Sequence, residues 1–194
     1  MNVALVNKPT VTRAAEGLDR RAFTVDEILR MQDAGIISED EKFELVEGEI
    51  VPMSPKYSAH ERVKAKVLLA LAKALTPELL VGVETSVFFS ANTFLEPDIC
   101  IYPERLQSQD IRGPDILLAI EVSASSLAYD RGIKAQLYAR YGVRELWVID
   151  ANARRTWVHK GPTEAGWTSV VELPPDAELR CDAVPAFAMK LSGI

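Results

Sequence analysis

Two stretches of the sequence decide the fold: Glu96-Pro97-Asp98-Ile99-Cys100-Ile101-Tyr102 and Ile116-Leu117-Leu118-Ala119-Ile120-Glu121-Val122-Ser123. Each is typical of a buried β-strand, yet Asp98 in the first and Glu121 in the second are carboxylates. Burying an unpaired carboxylate costs several kcal/mol, and two carboxylates on adjacent strands repel unless a cation lies between them. Asp98 and Glu121 are therefore candidates for a divalent-metal site. The alternative is that each lies at a strand end and faces solvent or an arginine.

The pattern around these stretches predicts a mixed central β-sheet flanked by helices, in an α/β (α+β) fold. Helices are predicted over 58–75 and 130–141, and strands over 81–90, 96–102, 116–123 and 145–150. Short connections between the first three strands indicate a meander, and the helix before the fourth indicates a crossover. The core order is thus αβββαβ. In the second helix Ile133, Leu137 and Tyr138 are expected to face inward.

The segments before this core have simpler signals. Thr24 and Glu27 have the spacing of a capping box, which predicts a helix that ends near Gly35. Glu47-Gly48 has the character of a turn, which predicts an N-terminal β-hairpin over 43–51. Residues 1–21 show no periodicity and are expected to form a mobile arm.

The segments after the core complete one domain over 22–194. A closing antiparallel pair is expected over 156–160 and 167–172, with Gly161-Pro162 in its turn. The tail from Leu173 is expected to be irregular because it contains three prolines.

Composition restricts the classes of function. The chain has 194 residues, 48% of them hydrophobic and 26% charged, as in ordinary globular proteins. No apolar run reaches the roughly 18 residues that span a bilayer, and the N-terminus lacks the features of a signal peptide. Cys100 and Cys181 match no zinc spacing, and two distant cysteines are compatible with a reducing compartment. Together these features lead us to expect a cytoplasmic protein with no membrane partner. A net charge of −6 argues mildly against a dedicated nucleic-acid binder but is compatible with a local basic face.

Metal-assisted hydrolysis of a phosphodiester needs few protein groups. Mg²⁺ or Mn²⁺ takes hard oxygen ligands, and one or two carboxylates with waters usually suffice. A nearby lysine can orient the attacking water or neutralise the transition state, and Lys134, one turn into the second helix, is the candidate. The alternative for Lys134 is a solvated helix residue. His60 opens the long helix, where its imidazole is either a contact to phosphate or water or an exposed capping residue.

Six stretches resemble those of a known family in content and order. They are Phe43 to Glu49, His60, Glu96-Pro97-Asp98, Glu121-Val122-Ser123, Tyr129 to Lys134 and Tyr141 to Asp150. Over roughly Phe23 to Trp167 the chain resembles the bacterial "putative restriction endonuclease" family within the PD-(D/E)XK nuclease superfamily. Each motif alone is common, whereas the ordered set is specific.

The resemblance implies a restriction-endonuclease-like fold with a site for Mg²⁺ (or Mn²⁺). Asp98 and Glu121 would be carboxylate ligands, and the Val122 carbonyl would be a further ligand. The superfamily normally has a lysine two residues after the second acid. Ser123 occupies that position here, and Lys134 on the next helix is the candidate replacement.

Further roles are expected of residues in and around these motifs. Glu44 in the hairpin is the preferred third catalytic carboxylate over Glu47, and His60, Ser123 and Arg131 are candidates for substrate binding. The implied activity is Mg²⁺-dependent endonuclease hydrolysis of DNA by a homodimer. Two alternatives stay open: a weakly active or inactive nuclease-fold module that binds protein or nucleic acid, and a small-molecule hydrolase that uses the same carboxylates.

Overall fold

The computed structural model describes residues 10–11, 19–38, 40–53 and 58–194. The chain divides into two compact units, Met1–Met53 with Phe88–Leu95 and Ser54–Val87 with Glu96–Ile194. The single domain expected over 22–194 stays a prediction. Most of the arm predicted over 1–21 lies outside the described residues. No helix in the described part of the chain is long and apolar enough to cross a membrane.

Strands and helices are interspersed along the described part of the chain. The strands are β1 (Thr10–Val11), β2 (Asp19–Arg20), β3 (Phe43–Val46), β4 (Glu49–Pro52), β5 (Leu79–Val83), β6 (Val87–Ser90), β7 (Thr93–Leu95), β8 (Ile99–Pro103), β9 (Leu118–Ser123), β10 (Glu145–Asp150), β11 (Thr156–Thr163), β12 (Gly166–Leu173), β13 (Leu179–Cys181) and β14 (Val184–Met189). The helices are α1 (Val25–Asp33), α2 (Ser58–Ala74), α3 (Leu127–Tyr129) and α4 (Ala135–Arg140), with a π-helical turn over Asp130–Lys134 between the last two.

The first unit contains a four-stranded sheet in the order β4-β3-β7-β6 and the helix α1. The predicted capping box is confirmed, because Glu27 N–H donates to Thr24 Oγ1 and Thr24 N–H donates to Glu27 Oε2. The predicted hairpin is confirmed as β3 and β4. Gly48 in its turn has φ +89°, and a Cβ there would lie 2.4 Å from the Ala22 Cβ, so the turn requires glycine.

The second unit is built on a six-stranded sheet in the order β12-β11-β10-β9-β8-β5. β9 and β10 are parallel, and the other neighbouring pairs are antiparallel. The parallel pair requires a crossover, which α3, the π-helical turn and α4 supply. The predicted mixed sheet and its αβββαβ order, here α2, β5, β8, β9, the crossover helix and β10, are confirmed.

Helices cover the two faces of this sheet. Val63, Val67 and Leu71 of α2 pack on the face formed by Ile120, Trp147 and other apolar side chains. Side chains alternate along a strand, so Glu121 points to the opposite face, where Tyr138 of α4 reaches it. Each large apolar side chain buried in this way contributes about 1.5–3 kcal/mol to folding.

The prediction of a single strand over 81–90 is wrong. β5 and β6 belong to different sheets, and the chain turns between them at Glu84. Glu84 has φ 49°, the left-handed conformation, which ends β5 although the alternation of apolar residues continues. Between β6 and β7 the chain turns at Ala91-Asn92.

Two expectations for the C-terminal part are also corrected. Gly161-Pro162 lies inside β11, and the turn to β12 falls at Glu164-Ala165. The proline is tolerated because pairing of β11 with β10 ends at Lys160, so the missing N–H of Pro162 breaks no ladder bond with β10. The tail is not irregular, since β13 and β14 form a hairpin that contributes Leu179, Phe187 and other side chains to the core.

Candidate active site

Asp98, directly before β8, and Glu121, near the end of β9, lie side by side. Ile99 pairs with Ile120, so the next position of the antiparallel register places Asp98 opposite Glu121. Val122 N–H donates a 2.9 Å hydrogen bond to Asp98 Oδ2, which fixes this carboxylate against β9. Both side chains are buried, with residue exposures of 6% and 4%. The structure therefore brings the two predicted carboxylates together, and neither faces solvent.

Two donors from the crossover helix converge on one oxygen of Glu121. Lys134 Nζ lies 3.0 Å from Glu121 Oε1, and Tyr138 O–H donates to the same oxygen at 2.5 Å. Lys134 is 4% exposed and Tyr138 is fully buried. Lys134 is thus not a solvated helix residue. Because the ion pair is buried, loss of one partner would leave an uncompensated charge in the interior.

The start of the crossover helix is fixed by Asp130. Ser123 Oγ and Ser126 Oγ donate to Asp130 Oδ2 at 2.7 and 2.6 Å. Ser123 is the last residue of β9, so this contact joins the strand that carries Glu121 to the π-helical turn that ends at Lys134. The helix begins at Leu127, earlier than the predicted Asp130. π-Helical turns within α-helices are rare and occur frequently at functional sites.

His60, at the start of α2, lies between two carboxylates. Its Nε2 is 3.0 Å from Asp98 Oδ2, and its Nδ1 is 2.9 Å from Glu61 Oε1. A carboxylate only accepts hydrogen bonds, so both contacts are satisfied when both ring nitrogens bear hydrogen. His60 is 6% exposed, which contradicts the alternative of an exposed capping residue. His60 Nε2 and the Val122 N–H thus contact the same oxygen of Asp98.

A second ion-paired cation lies next to His60 on α2. Lys64 Nζ is 2.9 Å from Glu61 Oε1 and 2.6 Å from Glu84 Oε1. Burial opposes the charge of Lys64, but its hydrogen bonds to Glu84 and Glu61 prevail and raise its pKa. The hydrogen bond from Lys64 lowers the pKa of Glu61. The sequence could have revealed this arrangement, because His60 and Lys64 are four residues apart and therefore lie on the same side of α2.

The other predicted site residues lie in different settings. Arg131 is exposed, with its guanidinium carbon 3.8 Å from the centroid of the Trp157 ring. Glu44 lies in β3 of the first unit, is 3% exposed and is opposite Val51 in the register. Glu47 has φ 51° in the hairpin turn, as expected of a turn residue. The choice of Glu44 as a third catalytic carboxylate stays a prediction.

The chemistry of the residues around Asp98 and Glu121 fits a hard divalent cation. Asp98 and Glu121 are buried at neighbouring register positions of adjacent strands, and the Val122 carbonyl is a further hard oxygen next to Glu121. Mg²⁺ is usually bound through one or two carboxylates and keeps several waters. Among the described residues there is no group of three or more His, Cys, Asp and Glu side chains suited to a metal ion.

Comparison with known proteins agrees with this fold. The chain matches the family described as "Uma2: Putative restriction endonuclease" over residues 25–192. Five chains of solved structures match, among them the crystal structure of a "putative nuclease belonging to DUF820" from Anabaena variabilis. That match has a TM-score of 0.69 and 16% identity over 88% of this chain and 96% of the other. No curated protein matches the chain.

The family match covers most of the chain, so the protein belongs to this family of restriction-endonuclease-type proteins. The resemblance inferred from the ordered motifs is confirmed, and so is the restriction-endonuclease-like fold.

Proposed function

We propose that the protein is a Mg²⁺-dependent endonuclease that hydrolyses phosphodiester bonds of DNA. The observation that supports this most strongly is the adjacency of the buried Asp98 and Glu121 with the Lys134 ammonium 3.0 Å from Glu121. The family is of restriction-endonuclease type and the structural neighbour is described as a nuclease, which supports the same class of reaction.

Each site residue has a defined task in this proposal. Asp98, Glu121 and the Val122 carbonyl would hold Mg²⁺ or Mn²⁺. A bound ion of this kind stabilises charge on phosphoryl oxygens and lowers the pKa of a water. Val122 N–H and His60 hold Asp98 in place, and Tyr138 does the same for Glu121. Side chains fixed before the substrate arrives need no reorganisation during the reaction.

Lys134 supplies the cation that the superfamily normally places at position 123. Its ammonium carries three hydrogens and has no acceptor, so it can donate to Glu121 and to a water or phosphoryl oxygen beside it. In hydrolysis a water oxygen forms the new bond to phosphorus while the bond from phosphorus to the leaving sugar oxygen breaks. Lys134 would orient that water or offset the negative charge that develops on the phosphoryl group.

The inactive-module alternative makes a different geometric prediction. If Lys134 had no catalytic role, we would expect its side chain to point away from the two carboxylates. The 3.0 Å contact with Glu121 instead favours a functional lysine. A net charge of −6 and the serine at position 123 remain the arguments for the alternative.

The experiment is cleavage of supercoiled plasmid DNA by the native protein, Asp98→Asn and the control Asp110→Asn. Asp110 is an exposed carboxylate in the loop after β8, so its variant makes the same charge change outside the site. We expect nicking that requires Mg²⁺ or Mn²⁺, is lost in Asp98→Asn and is unchanged in Asp110→Asn. Equal nicking by native protein and Asp98→Asn would assign the cleavage to a contaminant or another site.

Two further expectations belong to this proposal. A homodimer would place one active site on each strand of a duplex, and sedimentation equilibrium of the native protein measures that state. A cytoplasmic location would give the enzyme access to cellular DNA, and fractionation of cells that express the chain checks it.

A further inference from the structure

One row of side chains crosses the sheet from Glu121 to its far edge. Glu121 of β9 is in register with Val148 of β10, Val148 with Trp157 of β11, and Trp157 with Glu172 of β12. Residues that pair directly across strands point to the same face of the sheet. Trp157 therefore shares the face of Glu121. Two strand spacings separate them, a distance of about 10 Å.

Arg131 from the crossover helix lies on this Trp157. The guanidinium carbon is 3.8 Å from the ring centroid, which is a van der Waals contact typical of a cation–π pair. Trp157 is 6% exposed, whereas Arg131 is an exposed residue. The indole thus covers one face of the guanidinium, and solvent reaches the group from the other side. The same π-helical turn contains Arg131 and Lys134, whose ammonium contacts Glu121.

Glu172 fixes the indole and a second arginine. Trp157 Nε1–H donates to Glu172 Oε2 at 3.1 Å, and Arg155 donates to Glu172 Oε1. The hydrogen bond from Arg155 lowers the pKa of Glu172, so this carboxylate is ionised at neutral pH. The charge of Arg131 also lowers the pKa of Glu172, so two arginines and one carboxylate leave one positive charge in excess at the outer end of the row. The indole is restrained by its own hydrogen bond and by packing, which limits the movement of the arginine on it.

We infer that Arg131, positioned by Trp157, contacts a backbone phosphate of DNA a few nucleotides from the bond that is cleaved. The identity of the ligand as DNA rests on the proposed function. Arginine presents planar N–H donors that match phosphate oxygens, and stacking on an aromatic ring leaves the edges of the guanidinium available for them. The distance of about 10 Å between Glu121 and Trp157 equals the rise of about three base-pair steps along the axis of a duplex. Binding at a fixed distance from Lys134 would set the register of the substrate in the site.

The test is the salt dependence of DNA binding. A short fluorescein-labelled duplex is titrated with native protein, Arg131→Gln and Arg105→Gln in Ca²⁺, by fluorescence anisotropy at several KCl concentrations. Arg105 is an exposed arginine after β8, at the end of that strand remote from Asp98, and it provides the same charge change. Loss of one phosphate contact lowers the slope of log affinity against log salt by about one. We expect that decrease for Arg131→Gln and no change for Arg105→Gln.

Two more variants separate charge from position. Arg131→Lys keeps the charge but not the planar stack, so we expect weaker binding with the native salt slope. Trp157→Leu should weaken binding in the native background and add little in the Arg131→Gln background, because the two residues act through one contact. Circular dichroism and thermal unfolding check that each variant folds.

The outcomes distinguish this inference from the proposed function. Equal slopes for Arg131→Gln and Arg105→Gln, or no binding of DNA by the native protein, would overturn the phosphate contact. Another outcome is that Asp98→Asn nicks plasmid DNA as well as the native protein does, while Arg131→Gln lowers the slope of log affinity against log salt by about one. In that case the catalytic proposal fails and the phosphate contact stands.

Discussion

Ser123 Oγ donates a 2.7 Å hydrogen bond to Asp130 Oδ2, and this bond links the last residue of β9 to the turn of helix that contains Lys134. Position 123 is where related nucleases place a lysine according to the motif resemblance. The serine there does not substitute for that lysine chemically. It bonds to the helix that brings Lys134 to Glu121, so the serine at position 123 and the lysine at position 134 are parts of one arrangement.

Ser123→Ala should loosen this arrangement. Asp130 is 5% exposed and would lose one of two hydroxyl donors, which we expect to lower the free energy of unfolding by about 1–3 kcal/mol. Displacement of Lys134 should lower nicking by on the order of ten- to a hundredfold. Urea unfolding and plasmid nicking measure the two effects. The control is Ser125→Ala, at an exposed position, and equal effects in both variants would contradict the role of Ser123.

Tyr138→Phe removes a donor from Glu121 without changing the shape of the core. Removal of a partner that orients a metal ligand typically weakens metal binding by about 10–100-fold. We expect that loss in Mn²⁺ affinity, measured by isothermal titration calorimetry. Tyr102→Phe is the control, because Tyr102 is also buried but lies at the other end of β8. Native Mn²⁺ affinity in Tyr138→Phe would show that this hydroxyl does not support the site.

Glu145→Gln should change how stability depends on pH. Burial raises the pKa of Glu145 above its ordinary 4.5, against the opposing hydrogen bond from Trp147. A raised folded-state pKa means that the protonated acid favours folding, and this contribution is lost as pH rises through the folded-state value. The unfolding free energy of Glu145→Gln relative to native protein should therefore increase as pH rises above 4.5.

Urea unfolding at a series of pH values checks this expectation. Glu104→Gln is the matched control, since Glu104 is exposed and its variant makes the same substitution. A difference between native protein and Glu145→Gln that is constant with pH would contradict the account.

The two cysteines should be unreactive in the folded protein. Burial raises the pKa of Cys100 to about 12 and that of Cys181 to about 11, so neither is a thiolate near neutral pH. A thiol reagent such as Ellman's should therefore react slowly with native protein and rapidly with both thiols in urea. Fast reaction of either thiol in the native state would contradict its burial.

Local rules predicted the elements that local interactions determine. The capping box of Thr24 and Glu27, the hairpin turn at Gly48 and the long helix α2 follow from residue spacing, and the structure contains all three. The strand over 81–90 was wrong because apolar alternation continues through Glu84, whose left-handed backbone moves the chain into another sheet. The alternation of apolar and polar residues indicates which face of a strand is buried, but it does not indicate which sheet the strand joins.

The crossover helix shows a second limit. Ile133 was expected to face inward, but it is 56% exposed, and Lys134 beside it is 4% exposed. The π-helical turn adds a residue to the helical repeat, which an α-helical pattern cannot anticipate. Lys134 thereby occupies the buried face with Leu137 and Tyr138.

The site was predictable where motifs marked it and less so elsewhere. Asp98 and Glu121 were candidates because each carboxylate lies in an apolar strand, and Lys134 was a candidate because it lies one turn into the helix that follows Glu121. The structure places Lys134 3.0 Å from Glu121 and Asp98 at the neighbouring register position. Tyr138 was assigned to the core alone, since a tyrosine in an apolar stripe does not show where its hydroxyl points. The contact of Arg131 with Trp157 depends on the strand order, which no local pattern contains.

The central claim is that Asp98 and Glu121 share one divalent cation. A crystal of the native protein soaked in Mn²⁺ tests it directly through anomalous scattering. We expect one strong peak within coordinating distance of a carboxylate oxygen of Asp98, one of Glu121 and the Val122 carbonyl, with Lys134 adjacent. Mn²⁺ bound only elsewhere, or no Mn²⁺ at a concentration that supports cleavage, would contradict the claim.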